Sequence, residues 1–177
     1  MQHVGRAALE DGLAEIRRSP KEVGTVELIV RRPAEEEREV LAEAKLDPVK
    51  GVVGDRWHGR GSGHLDRQVT LMNARVAALV AQTREDWPLA GDQLYVDLDL
   101  SDAHLPPGTR LEVGTAVLEV TAEPHNGCGK FSRRFGVDAL KFVNSDVGRE
   151  LNLRGVNARI VTGGDVRTGD VIRRAGS

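Results

Sequence analysis

Glycine divides this chain into short segments. Twenty glycines and seven prolines occur among 177 residues, and many stand between runs of β-branched or alternating apolar residues. Such punctuation suits a fold of short strands joined by tight turns better than a bundle of long helices. One domain is the expected number for this length. A chain of this size also buries enough surface to fold without covalent cross-links.

The clearest strand pattern lies between residues 110 and 121. Apolar residues alternate along Arg110–Val113 and along 116–121, and Gly114 between them can adopt the positive φ of a tight hairpin turn. Similar β-rich runs predict further strands at 25–30, 68–72, 94–100, 158–162 and 171–173. Together they predict a mainly β fold, a closed β-barrel with a few peripheral helices.

Helical spacing is clearest at the N-terminus. Apolar residues recur at helical intervals along 7–18, so we expect a helix there that ends before Pro20. We therefore expect residues 1–24 to form an N-terminal helical extension and residues 25–177 to form the barrel domain.

Other segments also have helical patterns. Asn73 can cap a helix over 74–81, whose apolar face is wide enough to pack against a sheet. The runs 130–135 and 138–143 predict one or two short helices. The charged run 35–45 predicts either a solvated helix or an edge segment that connects strands.

Composition excludes several kinds of partner. The chain has 25 Lys and Arg against 27 Asp and Glu, a net charge of −2, and 3% aromatic residues. It therefore has neither the basic footprint of a nucleic-acid binder nor stacking platforms for single-stranded bases, and no nucleic acid is expected. We expect no secretory signal and no membrane span, since no apolar run is long enough. With Cys128 as the single cysteine, a reducing cytoplasmic location is expected.

Cys128 is the main candidate for chemistry. It stands between two glycines after a predicted strand, where the backbone can approach a ligand and the sulfur is poorly shielded. His125 and Lys130 are close in sequence, and a nearby cation favours the thiolate, the form that attacks electrophiles and binds soft metals. The candidate catalytic residues are therefore Cys128, His125 and Lys130. The alternative is that Cys128 is a small buried hydrophobe, the commoner role of a lone cysteine.

The longest glycine-rich loop is a candidate anion site. Its charged residues are Asp55, Arg56, Arg60, Asp66 and Arg67. Guanidinium groups and unhindered backbone N–H groups suit a phosphate or another oxyanion, although the spacing matches neither the P-loop nor the dinucleotide fingerprint. The alternative is a surface loop whose arginines pair with its own aspartates.

Zinc is not expected. His58 and His64 are suitable ligand types, but no recognisable helix carries them and a second cysteine is missing. The chain also has neither a nucleophile-elbow serine nor a His-Glu-x-x-His motif, so a hydrolase is not indicated.

Two further polar groups have alternative interpretations. Asp92 and Gln93 stand at the start of the predicted strand 94–100, where they either point into a barrel mouth or act as turn residues. A basic, amide-rich stretch near the C-terminus either binds an anionic ligand or forms a solvated charged face. That stretch contains Arg149, Asn152, Arg154, Asn157 and Arg159.

Several short motifs occur in a fixed order along the chain. They are Gly51-Val-Val-Gly-Asp55-Arg56, Asp66-Arg67-Gln68-Val69-Thr70-Leu71, Ala90-Gly-Asp-Gln-Leu-Tyr-Val96, Gly108-Thr-Arg-Leu-Glu-Val-Gly114, Glu123-Pro124 before Cys128-Gly129-Lys130-Phe131, and Gly164 with Gly169-Asp170-Val171-Ile172. The ordered set resembles the MOSC domain, which occurs at the C-terminus of molybdenum cofactor sulfurases and as stand-alone bacterial proteins. The resemblance extends over residues 25–174.

The resemblance implies a pyruvate-kinase-type β-barrel with a cysteine-containing loop at a pocket. Cys128 matches the family cysteine, whose thiolate would be either a molybdenum ligand or a persulfide carrier. The implied cofactor is the molybdenum cofactor, molybdopterin, an anionic ligand. The candidate residues for holding it are Asp55, Arg56, Arg60, Asp66, Arg67, Asp92, Gln93, Asn157 and Arg159.

The resemblance also implies a function. The protein would bind the molybdenum cofactor and either reduce N-hydroxylated or N-oxide compounds or carry activated sulfur on Cys128. Its partners would be a small-molecule substrate and an electron-donor or sulfur-donor protein, and the sequence is compatible with an oligomer. The alternative is a non-catalytic ligand-binding or interaction module, because Gly127-Cys128 replaces the Pro-Cys of many relatives and Asp92-Gln93 replaces their Glu-Asn.

Overall fold

Seven strands close into a barrel in the computed structural model, which describes residues 1–59 and 64–176. The strands are β1 (Val23–Arg31), β2 (Glu39–Leu41), β3 (Glu43–Asp47), β4 (Gly51–Val52), β5 (Val69–Asn73), β6 (Leu94–Asp97), β7 (Arg110–Val113), β8 (Ala116–Val120), β9 (Val156–Thr162), β10 (Gly164–Arg167) and β11 (Val171–Arg174). The helices are α1 (Arg6–Asp11), α2 (Leu13–Arg17), α3 (Ala74–Ala81), α4 (Gly129–Phe135), α5 (Val137–Asn144) and α6 (Asp146–Glu150). The segments Leu65–Arg67 and Arg84–Ala90 are 3-10 helices.

The barrel is a single sheet that pairs with itself. Its order is β11-β7-β8-β9-β5-β6-β1, and pairing of β11 with β1 closes it. The β5–β6 pair is parallel, and the other barrel pairs are antiparallel. Strand β2 extends from β1, and β10, β3 and β4 form a second, three-stranded sheet. The predicted mainly β fold, a closed β-barrel with a few peripheral helices, is confirmed.

Apolar side chains alternate along the strands between the barrel interior and its outer wall. Val69 and Leu71 of β5 face the interior, whereas Met72 packs among the helices. In β1 the pairing register shifts between Val26 and Leu28. Because of this bulge, Val26 belongs to the interior cluster and Leu28 to the helical one. Both faces of the wall are therefore buried where the helices cover it.

The hairpin at residues 110–121 is confirmed. Val113 of β7 pairs with Ala116 of β8, and Gly114 in the turn has a φ of +54°. A Cβ at this position would lie 2.3 Å from the backbone oxygen of Asp165. The glycine therefore permits both the turn and the close approach of β10.

The predicted cap of α3 is also confirmed. The Asn73 side-chain oxygen accepts the backbone N–H of Arg75 at 2.9 Å. Beneath this helix, the hydroxyl of the fully buried Tyr95 donates to the backbone oxygen of Trp87 at 2.7 Å. The helical layer is thus fixed to the barrel wall by apolar packing and by satisfied polar groups.

The structure adds detail to three segments that the sequence patterns left open, missed or merged. The charged run 35–45 contains β2 and the start of β3, so the edge-segment alternative describes it and the helix does not. Ala44 and Leu46 alternate there with charged residues, and both are buried. Strand β10 was not predicted, since Val166 is its one buried residue. The N-terminal helix over 7–18 is divided at Gly12 into α1 and α2.

The N-terminal helices pack against the helical layer. Leu9 of α1 is 0% exposed and Ile16 of α2 is 5% exposed, and both belong to the same apolar cluster as α3 and α5. Strand β1 begins at Val23, whose backbone pairs with Arg173. The separate extension over residues 1–24 stays a prediction.

Replacing Leu9 with alanine tests whether α1 contributes to stability. The Leu9→Ala variant should lose about 2–5 kcal/mol of unfolding free energy, because the removed methyl groups leave a cavity in the helical layer. Leu65→Ala is the matched control: Leu65 is 53% exposed, and its loss should change stability by less than about 0.5 kcal/mol. Urea unfolding followed by circular dichroism measures both, and equal midpoints would contradict a contribution from α1.

Candidate functional site

The candidate site lies on the outer wall of the barrel, at the ends of β1, β5 and β9. The segment 121–128, which joins β8 to α4, crosses this wall and separates two clefts. The first, which we call the arginine cleft, has a volume of about 370 Å³. It is lined by Arg32, Arg56, Trp57, Arg67, Thr70, Pro124, His125, Asn126 and Asn157.

The second cleft lies on the other side of the same segment. Its volume is about 310 Å³, and α6 and the loop before β9 form its far wall. Four residues line both clefts: Pro124, His125, Asn126 and Asn157. These residues are therefore the point at which occupants of the two clefts would meet.

A buried ion-pair network centres on Asp92. Its carboxylate accepts from Arg154 Nη1 at 2.5 Å and from His125 Nε2 at 2.7 Å, and its side chain is 0% exposed. Arg154 also donates from Nη2 to the backbone oxygen of Ala90 at 2.7 Å, and its guanidinium lies 5.1 Å from the Phe131 ring centre. Asp92 thus connects the barrel, the 121–128 segment and the helices.

The network sets the protonation of its members. Burial opposes ionisation of Asp92, but the charges and hydrogen bonds of Arg154 and His125 outweigh it and hold the pKa of this carboxyl well below its usual range. Burial lowers the pKa of His125, Arg154 lowers it further, and Asp92 only partly opposes them. At neutral pH the carboxylate is therefore charged and the imidazole neutral.

Asp55 forms a second buried network with Arg32. Asp55 Oδ2 accepts from the backbone N–H of Arg32 at 2.9 Å and from its Nε at 3.0 Å, and Oδ1 accepts from Nη2 at 3.0 Å. The backbone N–H of Trp57 donates to the same Oδ1 at 3.0 Å. The carboxylate is 0% exposed, so Asp55 holds Arg32 and the loop in place and does not itself face the cleft.

Amide side chains fix the back of the arginine cleft. Gln93 Oε1 accepts from both the backbone N–H and the hydroxyl of Thr70 at 2.8 Å. Asn157 Nδ2 donates to the backbone oxygens of Glu123 and Pro124 at 3.2 Å, which ties the 121–128 segment to β9. Among the described residues, the buried Gln93 Nε2 has no hydrogen-bond partner.

Cys128 stands immediately before α4, and its side chain is exposed. Burial of the sulfur disfavours the thiolate. Hydrogen bonds from the backbone N–H groups of Phe131 and Lys130, and the positive charges of Arg154 and Arg134, outweigh it and lower the pKa of Cys128. The structure therefore presents an accessible thiol that ionises more readily than a free one.

The loop before Cys128 is held by one amide. Asn144 Oδ1 accepts the backbone N–H of Gly127 at 2.8 Å, and Asn144 Nδ2 donates to the Gly127 oxygen at 3.1 Å. A Cβ at Gly127 would lie 2.8 Å from Leu140 Cδ1. Proline at this position would lack the N–H and add bulk, which explains in physical terms why Gly precedes Cys here.

The sequence suggests that the Lys130 side chain acts on Cys128, but in the structure this side chain binds two glutamates. Its Nζ binds Glu35 Oε1 at 2.9 Å and Glu36 Oε1 at 3.1 Å, and Arg134 Nη2 binds Glu36 Oε2 at 2.7 Å. These pairs hold the β1–β2 loop against α4, and they lower the pKa of Glu36 to about 2. Lys130 acts on the sulfur through its backbone N–H, while Arg154 and Arg134 supply the cationic charge.

Positive charge is concentrated around the site. Burial lowers the pKa of Arg38, and the nearby charges of Arg134, Arg32 and Arg56 lower it further, against the opposing charge of Glu36. Arg38 does not line the arginine cleft, but Arg32 and Arg56 do, and their guanidinium groups favour an anionic occupant there. Asp55 offsets part of this charge at Arg32, and Glu123 offsets part of it at Arg67.

The other residues predicted for the site fall into three groups. Arg56 and Arg67 line the arginine cleft, and Arg67 also pairs with Glu123. Asp66 and Arg159 line neither cleft: the Asp66 backbone oxygen accepts from Thr121, and Arg159 pairs with Glu119 at 3.1 Å on the barrel surface. Arg60 lies outside the described residues.

Residues 1–59 and 64–176 contain no group of three or more His, Cys, Asp or Glu side chains that could hold a metal ion. In the same part of the chain, no helix is both long and apolar enough to cross a membrane.

Comparison with known proteins identifies the family. The model of the MOSC domain matches residues 52–173, which include Asp55, the whole Asp92 network and Cys128. The chain belongs to the MOSC domain family. A search of curated proteins finds no match.

Solved structures share the fold. The YuaD protein from Bacillus subtilis superimposes with a TM-score of 0.64 at 16% identity, over 85% of this chain and 94% of that one. YiiM from Escherichia coli gives 0.57 at 17% identity, over 86% and 70%. YiiM from Geobacillus stearothermophilus gives 0.58 at 14% identity, over 86% and 75%. At these identities the comparison shows that this MOSC protein and the three solved structures share a fold, and it shows nothing further.

The Asp92 network should be a main source of stability. Asp92→Asn leaves the Arg154 guanidinium buried without its counter-charge, so we expect a loss of about 3–5 kcal/mol of unfolding free energy at pH 7. Because the pKa of Asp92 is lower in the folded protein than the unfolded value of about 3.9, its stabilising effect is complete above about pH 4 and disappears as the pH falls through the folded pKa. The difference between the proteins should therefore narrow below about pH 4.

Urea unfolding at several pH values measures this difference. Glu112→Gln is the matched control, because Glu112 forms an exposed pair with Arg173 at 2.9 Å and its loss should change stability by about 1 kcal/mol or less. Equal stability of Asp92→Asn and the wild type at pH 7 would show that the network has no such role.

Arg134 should contribute to the acidity of Cys128. In Arg134→Gln the thiol pKa should rise, because a positive charge near the sulfur is lost. Arg133→Gln removes the same charge from the neighbouring exposed position of α4 and should have a smaller effect. The pH dependence of iodoacetamide alkylation reports the pKa without ambiguity, since the chain has a single cysteine. A larger rise in Arg133→Gln than in Arg134→Gln would argue against this assignment.

Proposed function

We propose that this MOSC protein binds the molybdenum cofactor at the arginine cleft and uses it to reduce N-hydroxylated or N-oxide compounds. The main support is the exposed Cys128 thiol, whose lowered pKa makes it a good ligand for a soft metal. Cys128 itself lines neither cleft, but it follows two residues after Asn126, which lines both. Family membership agrees with this proposal, because MOSC domains are associated with that cofactor.

The donor groups of the cleft fit an anionic pterin. Arg32, Arg56 and Arg67 bring three guanidinium groups to one opening, and guanidinium forks match the oxygens of a phosphate. Asp55 fixes Arg32 before any ligand arrives, so less side-chain entropy is lost on binding. These residues would hold the cofactor, and Cys128 would contribute the thiolate to its metal.

The positions of these residues indicate which parts of the reaction the cofactor and the protein would each supply. When bound, the cofactor supplies metal-centred two-electron redox chemistry. The protein supplies the thiolate, the anion site and the polar residues His125, Asn126 and Asn157, which line both clefts. The second cleft, with Arg149 in its wall, is the place for a small polar substrate.

The proposal includes partners and a cellular location. Reduction needs an electron-donor protein, because a single cysteine cannot hold an iron–sulfur cluster. An exposed, easily ionised thiol is also prone to oxidation, which suits a reducing cytoplasmic compartment.

Sulfur transfer is the second candidate. The same accessible thiolate could carry a persulfide to a sulfur-requiring cofactor, with a sulfur-donor protein as partner. Intact-mass spectrometry distinguishes the two, since a carrier would gain one sulfur atom on Cys128 when treated with a persulfide donor and would lack bound metal. A protein with neither metal nor persulfide, and with an ordinary thiol pKa, would instead be a non-catalytic binding module.

Metal content tests the first proposal directly. After expression in a host that makes the cofactor, we expect close to one molybdenum per chain and pterin fluorescence after oxidative release. Cys128→Ala should contain about tenfold less molybdenum or lower, because it lacks the thiolate ligand. Ser132→Ala, on the same helix, should retain the metal. Full molybdenum in Cys128→Ala would refute the ligand role, and none in the wild type would refute the proposed function.

A further inference from the structure

His125 presents one ring nitrogen to the clefts and the other to a buried carboxylate. Nε2 is 2.7 Å from Asp92 Oδ1, and the side chain is 17% exposed. Nδ1 has no hydrogen-bond partner among the described residues. It is also not completely buried, so an occupant of the clefts can reach it. Because His125 lines both clefts, Nδ1 is the atom through which it can contact an occupant.

The position of the proton on the ring follows from its partner. Asp92 is ionised and can only accept, so Nε2 must carry the hydrogen. In the neutral ring Nδ1 then has a free lone pair, and in the charged ring it carries a second, transferable proton. Asp92 therefore orients the imidazole and fixes its tautomer, as a carboxylate does in other histidine pairs.

The backbone at Gly155 leaves room for this ring. Gly155 has a φ of +120°, and a Cβ there would lie 2.3 Å from the backbone oxygen of Leu71 and 3.0 Å from His125 Cδ2. The ring edge that carries Nε2 is thus packed against the loop before β9. The opposite edge, with Nδ1, is directed away from this contact.

The charges that face His125 come from three elements and its own segment. Arg32 at the end of β1 and Arg154 before β9 are positive, and Asp92 before β6 is negative. Cys128 follows on the same segment, Arg56, Arg67 and Arg149 line the clefts, and the carboxylates of Asp102 and Glu123 line the second cleft. Positive groups still outnumber carboxylates, and the imidazolium gives up its proton readily.

We propose that His125 is the proton donor to the substrate, acting through Nδ1, and that Asp92 is its positioning residue. This inference rests on the proposed function. Reduction of a hydroxylamine breaks the N–O bond, takes up two electrons and two protons, and yields an amine and water. Two equivalents of an external one-electron reductant supply the electrons. His125 gives one proton to the leaving oxygen, water in the open cleft supplies the other, and solvent then reprotonates the ring.

Proton donation by His125 determines how the turnover rate depends on pH. The donor form is the imidazolium, which is populated below the pKa of His125, and that pKa lies below its ordinary value. Turnover of the wild type should therefore rise as the pH falls from 8, by about tenfold per unit until the pKa is reached. A variant without the donor should lack this dependence.

The experiment uses molybdenum-loaded protein, reduced methyl viologen as the electron source and phenylhydroxylamine as the substrate. His125→Gln keeps a polar side chain that can still donate to Asp92 but cannot transfer a proton. We expect its kcat to fall by about 100-fold or more, with molybdenum content unchanged and a flat pH profile. His64→Gln is the control, since His64 is a surface histidine that lines neither cleft.

A second measurement needs neither cofactor nor turnover. Nitrogen-15 NMR of histidine-labelled, metal-free protein should show the His125 proton on Nε2 and a pKa below the ordinary value. A proton on Nδ1 in the neutral ring would overturn the inference whatever the metal content. This measurement, and the pH profile of the wild type, also serve if His125→Gln does not fold.

The outcomes separate the two proposals. A wild type without molybdenum removes the proposed function, and this inference with it. A loaded and active wild type whose rate matches that of His125→Gln overturns this inference alone. A loss of molybdenum in His125→Gln assigns the residue to cofactor binding and likewise overturns proton donation.

Discussion

The site depends on one carboxylate that is completely removed from water. Asp92 enters the fold at the start of β6 and accepts from a guanidinium on one side and an imidazole on the other. An isolated charge in such a place would be too unfavourable to keep, so the three groups must be assembled together. Their assembly joins the barrel wall, the crossing segment and the helical layer, and it positions Arg154 where its charge acts on Cys128.

The closed barrel explains why the site is outside it. Apolar residues fill the interior, so polar side chains at the strand ends point outward, as Thr70 and Asn157 do. The crossing segment lies over these residues and creates a cleft on each side. In such a site the sheet provides a rigid support and the loops carry the functional side chains, which is a common arrangement in enzymes.

Sequence patterns were sufficient for the barrel, because alternation and glycine turns are local. They also pointed to Cys128 and to positive charge in its surroundings. They could not show which cation acts on the sulfur, since Arg154 and Arg134 come close only through folding, whereas the adjacent Lys130 turns to Glu35 and Glu36. Arg32 was missed because a single arginine after a strand has no distinguishing pattern; its partner Asp55 is 23 positions away.

Gly155 has no functional group, yet the geometry of the imidazole depends on it. The space that a methyl group would occupy is already taken by a peptide oxygen and by the ring itself. Any side chain at this position would displace either the wall of the sheet or the histidine. The arginines and amides at the rim of the clefts are not constrained in this way, so ligand preference can evolve there while the position of the imidazole is conserved by a residue that has no side chain.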